Sequence, residues 1–263
     1  MKPLLSCIAF ALLLSLNLQA AIQTETVVYR SDGVELEGFL AYDKAKSGPR
    51  PGVLVVHQWK GLTDYEKKRC EMLAKLGYTA FAVDIYGKGI RPATTADAGK
   101  LAGQYKSDRT LLRARVNAGL EALRKSGQVD AKRIACIGYC FGGTTALELA
   151  RSGADVAGVV SFHGGLSTPS PEDAKKIRGK VLVLHGADDP YVPAPEVTGF
   201  QEEMRQAKVD CQFVAYSGAV HSFTHWDAGS DNSKGAAYNE KADHRSWEAM
   251  RTFFAELFGE HSR

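Results

Sequence analysis

IACIGYCFGG occupies residues 134–143, and the reading of its centre decides the fold. The apolar run Ile134-Ala135-Cys136-Ile137 stops at Gly138, and GGTTALELA at 142–150 continues with helix-forming residues. Between them, Gly138-Tyr139-Cys140-Phe141-Gly142 has the form G-x-S-x-G with cysteine in the serine position. That pattern marks a sharp strand-to-helix turn that lifts a nucleophile above an α/β sheet. A turn this tight presses backbone against backbone, so glycines two residues to either side remove β-carbons that would collide. The following helix offers unpaired N–H groups and its positive dipole end to the sulfur, and both favour thiolate over thiol. The same five residues also fit a glycine-rich turn around an inert, buried cysteine. The decision rests on what stands at the other strand ends.

Outward from the turn, strand-like and helix-like segments alternate. TETVVYR (24–30) and VELEGFLAY (34–42) flank Ser31-Asp32-Gly33 and read as an antiparallel hairpin. GVLVVH (52–57) is a continuous apolar run, as expected of a strand buried on both faces. Thr63 caps a helix that ends at Gly77, and YTAFAVDI (78–85) is the next strand. Helical sequence runs from about 96 to 126 with a break near Ser107-Asp108. Strands follow at 133–138, 155–163, 180–186 and 211–216, with a helix at about 195–207 and a C-terminal helix at about 236–258. Such alternation predicts one α/β domain with a mostly parallel sheet covered by helices on both faces. No repeat or linker divides it.

In a sheet of this kind, functional groups gather beyond the carboxyl ends of the strands. Cys140 belongs there. So do Asp188 and Asp189, which follow the strand KVLVLHG, and His221 in SGAVHSF, which follows the last strand. The chain order nucleophile, acid, histidine is that of the α/β-hydrolases. A cysteine–histidine pair needs a third group to fix the imidazole tautomer, and a carboxylate does this.

With these residues in hand, the chain from about 25 to 258 resembles the dienelactone hydrolase family of the α/β-hydrolase fold. The resemblance is carried by Gly138-Tyr139-Cys140-Phe141-Gly142-Gly143, Asp189-Pro190-Tyr191-Val192-Pro193 and His221-Ser222-Phe223. It implies Cys140 as nucleophile and His221 as its base. The family's Gly-x-x-Asp-x-x-Val-Pro pattern selects Asp189 over Asp188 as the acid and leaves Asp188 to the turn. The implied activity is hydrolysis of small carboxylic esters or lactones through a thioester, with no metal and no organic cofactor. Backbone N–H groups of Phe141 and of the Gln58–Trp59 segment are expected to meet the oxyanion.

Three positions depart from the family. Gln58 stands where its best-known members carry a glutamate against the resting cysteine. Lys88 and His225 stand where they carry arginines for a substrate carboxylate, and lysine is not a bidentate clamp. Dienelactone itself is therefore not the expected substrate. Gln58, Trp59, Tyr86, Lys88, His163, Phe223, His225 and Trp226 are the candidate pocket residues. His57, His163 and His225 also fall near strand ends, with an ordinary reading as loop histidines bonded to backbone.

The first twenty residues have a different character. MKPLLSCIAFALLLSLNLQA sets Lys2 before an apolar run from Leu4 to Leu18 and reaches small residues at Ala20-Ala21. That is the layout of a secretory signal peptide cleaved after Ala20, which leaves a single domain over 21–263 and a secreted or periplasmic protein. Of five cysteines, the leader takes Cys7; Cys70, Cys136 and Cys211 read as small buried hydrophobes, with a Cys70–Cys211 bridge left open. A net charge of +3 with dispersed basic residues points to neither nucleic acid nor a membrane surface, and a small ester or lactone is the expected partner. Two other readings stay open: a thiol redox or peroxide-reactive protein, and a non-catalytic binding protein on a hydrolase scaffold.

Overall fold

The computed structural model describes residues 20–259. The leader expected at 1–20 therefore lies, apart from Ala20, outside the described residues. Among these residues eight strands, β1 (Ile22–Ser31), β2 (Val34–Asp43), β3 (Arg50–Val56), β4 (Thr79–Val83), β5 (Val129–Tyr139), β6 (Gly158–Phe162), β7 (Lys180–Gly186) and β8 (Cys211–Tyr216), form one sheet. Their order is β1-β2-β4-β3-β5-β6-β7-β8. The β1–β2 and β2–β4 pairs are antiparallel and the remaining pairs parallel. This is the expected mostly parallel α/β sheet with an antiparallel N-terminal hairpin. The hairpin closes through Asp32 and Gly33, both at positive φ (48° and 78°), so Ser31 pairs directly with Val34. A two-residue turn of that hand matches the twist of the strands it joins.

Among the described residues, six α-helices cover the sheet: α1 (Asp64–Lys75), α2 (Thr95–Ser107), α3 (Arg109–Lys125), α4 (Phe141–Arg151), α5 (Ala194–Ala207) and α6 (Glu240–Phe258). Alternate residues of β3 feed two separate cores. Val53 and Val55 pack with Tyr65, Cys70 and Leu73 of α1 and with Met250 and Phe254 of α6. Leu54 and Val56 pack with residues of α2, α3, α4 and α5. All four β3 side chains are fully buried, which is why this strand reads as an unbroken apolar run. The break expected near Ser107-Asp108 is real: Asp108 ends α2 and its carboxylate accepts from the N–H of Leu111 to cap α3.

One question left open is closed and one expectation is corrected. Cys70 lies in the core under α1 and α6, whereas Cys211 packs on the opposite face of the sheet, so the two cannot be bridged; both are free thiols. The last helix starts at Glu240 and not near 236, with Asn239 as its cap. The segment before it is otherwise engaged, because Ala236 forms a β-bridge with His221 and the Ala237 N–H donates to the His221 carbonyl at 3.0 Å.

Helix α4, which carries the turn at Cys140, is tied down at its far end by buried charge. Arg151 grips Glu203 of α5 through two hydrogen bonds of 2.8 and 2.7 Å, reaches Glu148 at 3.0 Å and caps the Leu166 carbonyl at 3.0 Å. The Arg151 and Glu148 side chains are fully buried and Glu203 nearly so. Removing one member of such a group leaves uncompensated charge, at a cost of about 3–5 kcal/mol. Arg151→Met is accordingly expected to lower the unfolding free energy by roughly that amount in denaturant titrations. A loss below about 1 kcal/mol would show that the cluster does not anchor α4.

Candidate active site

Cys140 sits between β5 and α4 with φ 55° and ψ −115°, a conformation that side chains disfavour. The reason is steric. A β-carbon at Gly138 would collide with the carbonyl of Gly142, and one at Gly142 with the carbonyls of Val56 and His57. The turn is thus as tight as backbone contact allows, and its apex must take a left-handed φ. A second pair of glycines continues the packing: a β-carbon at Gly143 would lie 2.9 Å from the Cα of Gly164, so the loop after β6 sits directly on the first turn of α4.

The three residues from three strand ends meet. Cys140 Sγ lies 3.0 Å from His221 Nε2, and His221 Nδ1 lies 2.7 Å from Asp189 Oδ2. The other Asp189 oxygen accepts from the N–H of Tyr191 at 2.8 Å, so the carboxylate is fixed at both oxygens. Asp188 points elsewhere and accepts from the N–H of Gly218 at 2.9 Å, bracing the turn after β8. The register that chose Asp189 matches this placement.

Burial by itself would raise the Cys140 thiol. The charge and hydrogen bond of His221, the N–H of Phe141 and the more distant ammonium of Lys106 outweigh it, and the thiol titrates below its ordinary value. His221 moves the other way. Burial disfavours its charged form, but the sulfur and the Asp189 carboxylate raise it to about 10. Each shift favours the charged form, thiolate at the sulfur and imidazolium at His221, because each group feels the other's charge.

Two further imidazoles are buried among the strand ends. His57 is fully buried, its Nδ1–H donating to the Gln58 carbonyl at 2.6 Å while Nε2 accepts from the N–H of Ile85 at 3.2 Å. Burial lowers it to about 4, so it is neutral. His163 follows β6 at φ 40°; its Nδ1 accepts from the N–H of Cys140 at 3.1 Å and its Nε2 lies 2.8 Å from Thr224 Oγ1. It too is buried and held well below the usual histidine range, chiefly by burial and then by the charge of His221.

The expected oxyanion donors separate. The Phe141 N–H opens α4 beside the sulfur. The Gln58 N–H is already donated to Glu66 Oε1 at 3.2 Å, which removes it from the set. The Gln58 carbonyl is held by His57, and Tyr86 Oη donates to the Trp59 carbonyl at 2.9 Å, so the peptide leading into the Trp59 N–H is fixed from several sides.

Candidate pocket residues also divide. Gln58, Trp59 and His225 line a cleft of about 220 Å³ together with Lys60, Glu66 and Ser222. Lys88 is absent from it, being exposed and paired with Glu35 at 2.9 Å. Phe223 is fully buried against His163 and Tyr216, a core position and not a wall. Trp226 lies over Arg69 and donates to Asp243, and Tyr86 is buried between His57, Tyr105 and Phe141. His163 serves the Cys140 backbone. A larger cleft of about 660 Å³ opens beside the first, between the hairpin and the 60–67 and 89–92 segments, and contains none of the three central residues.

Sequence reasoning missed four residues here. Tyr191, 60% exposed, stands edge-on to the His221 ring at 5.4 Å. Glu66, Thr224 and Lys106 are the others. Glu66 was within reach, since Thr63-x-x-Glu66 is a capping box visible in the sequence. Thr224 and Lys106 carry no local pattern that announces them.

Comparison with known proteins agrees with the geometry. Residues 36–258 match the model of the dienelactone hydrolase family. The dienelactone hydrolase-like promiscuous phosphotriesterase P91, from metagenomic libraries, is 41% identical, with a TM-score of 0.85 over 90% of this chain and 99% of that one. The structure named m3DLH is likewise 41% identical, with a TM-score of 0.87 and the same coverage. A protein of Aquifex aeolicus, provisionally named carboxymethylenebutenolidase, is 27% identical over 88% of this chain and 97% of its own. The chain belongs to the dienelactone hydrolase family.

Proposed function

We propose that this protein hydrolyses small carboxylic esters or lactones with Cys140 as nucleophile, His221 as proton carrier and Asp189 as the group that orients it. The observation that carries the reading is the continuous line Sγ–Nε2, Nδ1–Oδ2 at 3.0 and 2.7 Å, within hydrogen-bond reach at both steps. The resting thiolate attacks the carbonyl carbon. Negative charge moves to the carbonyl oxygen, where the Phe141 and Trp59 N–H groups stabilise it. Collapse breaks the C–O bond, and the departing alkoxide takes the Nε2 proton of His221 to leave as an alcohol. In a lactone that alcohol remains attached to the acyl group. His221, now neutral, takes a proton from water as hydroxide adds to the thioester, and the second collapse returns the electron pair to sulfur beside the re-formed imidazolium. Asp189 stays ionised throughout and holds the Nδ1 proton.

The likeness to P91 favours one additional substrate class, phosphotriesters. A thiolate can displace the leaving alkoxide at phosphorus as it does at carbon. The redox reading is weaker: Cys136 is buried in the sheet with its thiol raised by burial, a poor resolving partner for Cys140. Export is part of the same proposal and rests on Lys2, the apolar run to Leu18 and Ala20-Ala21. Mass spectrometry of the exported protein should find a new N-terminus close to Ala21, and an intact Met1 would refute it.

Rapid quench with p-nitrophenyl acetate should trap one acetyl group on Cys140, and Cys140→Ala should abolish both the adduct and turnover. Turnover that survives in Cys140→Ala would place the chemistry elsewhere. Asp189→Asn should cut kcat/KM by about 10³- to 10⁴-fold through loss of the tautomer-fixing carboxylate. Asp188→Asn should leave kcat nearly intact and cost only about 1 kcal/mol of stability.

Alkylation by iodoacetamide reads the charge on sulfur. In the wild type its midpoint should lie below that of an ordinary thiol, because His221 lowers Cys140 against burial. His221→Gln removes the opposing charge, leaves burial dominant and should push the midpoint above that of a free thiol. Gln58→Glu, which puts a carboxylate where the family's best-known members carry one, should slow alkylation at neutral pH. Equal profiles in all three proteins would contradict the ion pair.

A further inference from the structure

His163 does not enter the chemistry just described, yet it touches both loops on which that chemistry depends. Its Nδ1 accepts from the Cys140 N–H at 3.1 Å, an amide whose other acceptor is the Phe162 carbonyl at 3.0 Å. Nδ1 is therefore unprotonated and the ring proton sits on Nε2. From there it is donated to Thr224 Oγ1 at 2.8 Å, and Thr224 lies three residues beyond His221 on the same loop. The His163 ring also stands edge-on to the His221 ring at 5.3 Å.

The chain of bonds continues with every proton accounted for. Thr224 Oγ1 donates to Tyr65 Oη at 2.8 Å, and Tyr65 donates back to the Thr224 carbonyl at 3.1 Å. Arg69 donates to Tyr65 Oη at 3.2 Å, to the same Thr224 carbonyl at 3.0 Å and to Asp243 at 2.6 Å. Trp226 and Tyr238 close the network on the second Asp243 oxygen at 3.2 and 3.3 Å. Tyr65, Arg69, His163, Thr224 and Asp243 are all buried, so none of these bonds competes with bulk water. The His163 backbone is pinned as well, its N–H donating to the Leu184 carbonyl of β7 at 2.8 Å.

We propose that His163 is a positioning residue, a neutral imidazole that bridges the Cys140 turn to the His221 loop and sets the distance between sulfur and Nε2. The proposal rests on the reading of Cys140 and His221 as the reacting pair. Only a side chain that accepts on one side and donates on the other, across the width of a ring, makes both contacts. A protonated His163 would have no lone pair for the Cys140 N–H and would place a second cation against His221. Its burial and that neighbouring charge keep it neutral. Its left-handed backbone at φ 40° is a further constraint that follows from aiming the ring between the two loops.

The test is the rate of Cys140 alkylation against pH in His163→Leu and in Thr224→Val, with circular dichroism reporting the fold. Thr224→Val cuts the bridge from its other end, keeps the side-chain shape and leaves the carbonyl that Tyr65 and Arg69 hold. Each folded variant should show an alkylation midpoint shifted toward the free thiol and a kcat/KM reduced by roughly 10- to 100-fold, the scale of a small misplacement of reacting groups. His163→Asn, which keeps an acceptor for the Cys140 N–H, should recover part of the loss. If His163→Leu fails to fold, Thr224→Val decides. A folded variant with the wild-type alkylation profile overturns the bridge. Because alkylation needs no substrate turnover, that failure is distinct from failure of the proposed hydrolysis, which Cys140→Ala and acyl trapping report.

Discussion

A non-glycine residue held at φ 55°, ψ −115° costs on the order of 1–3 kcal/mol, and at Cys140 the surrounding structure supplies it. Strand β5 and helix α4 meet at an angle that only a pair of glycines permits, since side chains at Gly138 or Gly142 would overlap backbone carbonyls. The strain is local, but what sustains it is not. Buried ion pairs hold the far end of α4, the loop after β6 lies on its first turn, and the apex N–H is taken by Phe162 and His163. The sulfur is thereby presented to His221, with the first N–H of α4 beside it.

His57, His163 and His221 share one chemistry and occupy different states because their surroundings differ. His57 and His163 have both ring nitrogens committed to fixed donors and acceptors inside the core, and burial keeps them neutral. His221 faces a carboxylate on one side and a thiol on the other, so each stabilises its charge and the balance reverses. In the proposed mechanism, charge separation at rest suits a nucleophile that must act without a preceding proton transfer. Among the neighbouring groups, the charge of His221 does most to lower the sulfur against burial.

Much of this was legible in the sequence because the relevant constraints are local. Glycine spacing around Cys140, an apolar β3 and a Gly-x-x-Asp register each act within a few residues, and each led to the placement now seen. The failures share a different cause. Phe223 and Trp226 were assigned to the pocket, but Phe223 packs on His163 and Tyr216, and Trp226 is held by Asp243 of α6 and by Arg69, which stands more than a hundred residues earlier in the chain. Lys88 was placed by analogy with a family position, and the pairing with Glu35 across the hairpin could not be read from either residue alone. Gln58 was offered as an oxyanion donor, whereas the capping box at Thr63–Glu66 directs a carboxylate onto its N–H. Thr224 became meaningful only once β6 and the His221 loop were brought together.

The resting charge of His221 is the quantity on which the account stands most directly. An NMR titration of the imidazole, assigned by its loss in His221→Gln, should show both ring nitrogens protonated at neutral pH, with deprotonation only toward pH 10. In Cys140→Ala the same resonance should titrate lower, because the sulfur no longer stabilises the cation. A wild-type His221 that titrates near 6.5, the ordinary histidine value, and does not respond to loss of the thiol would contradict the ion pair and the mechanism built on it.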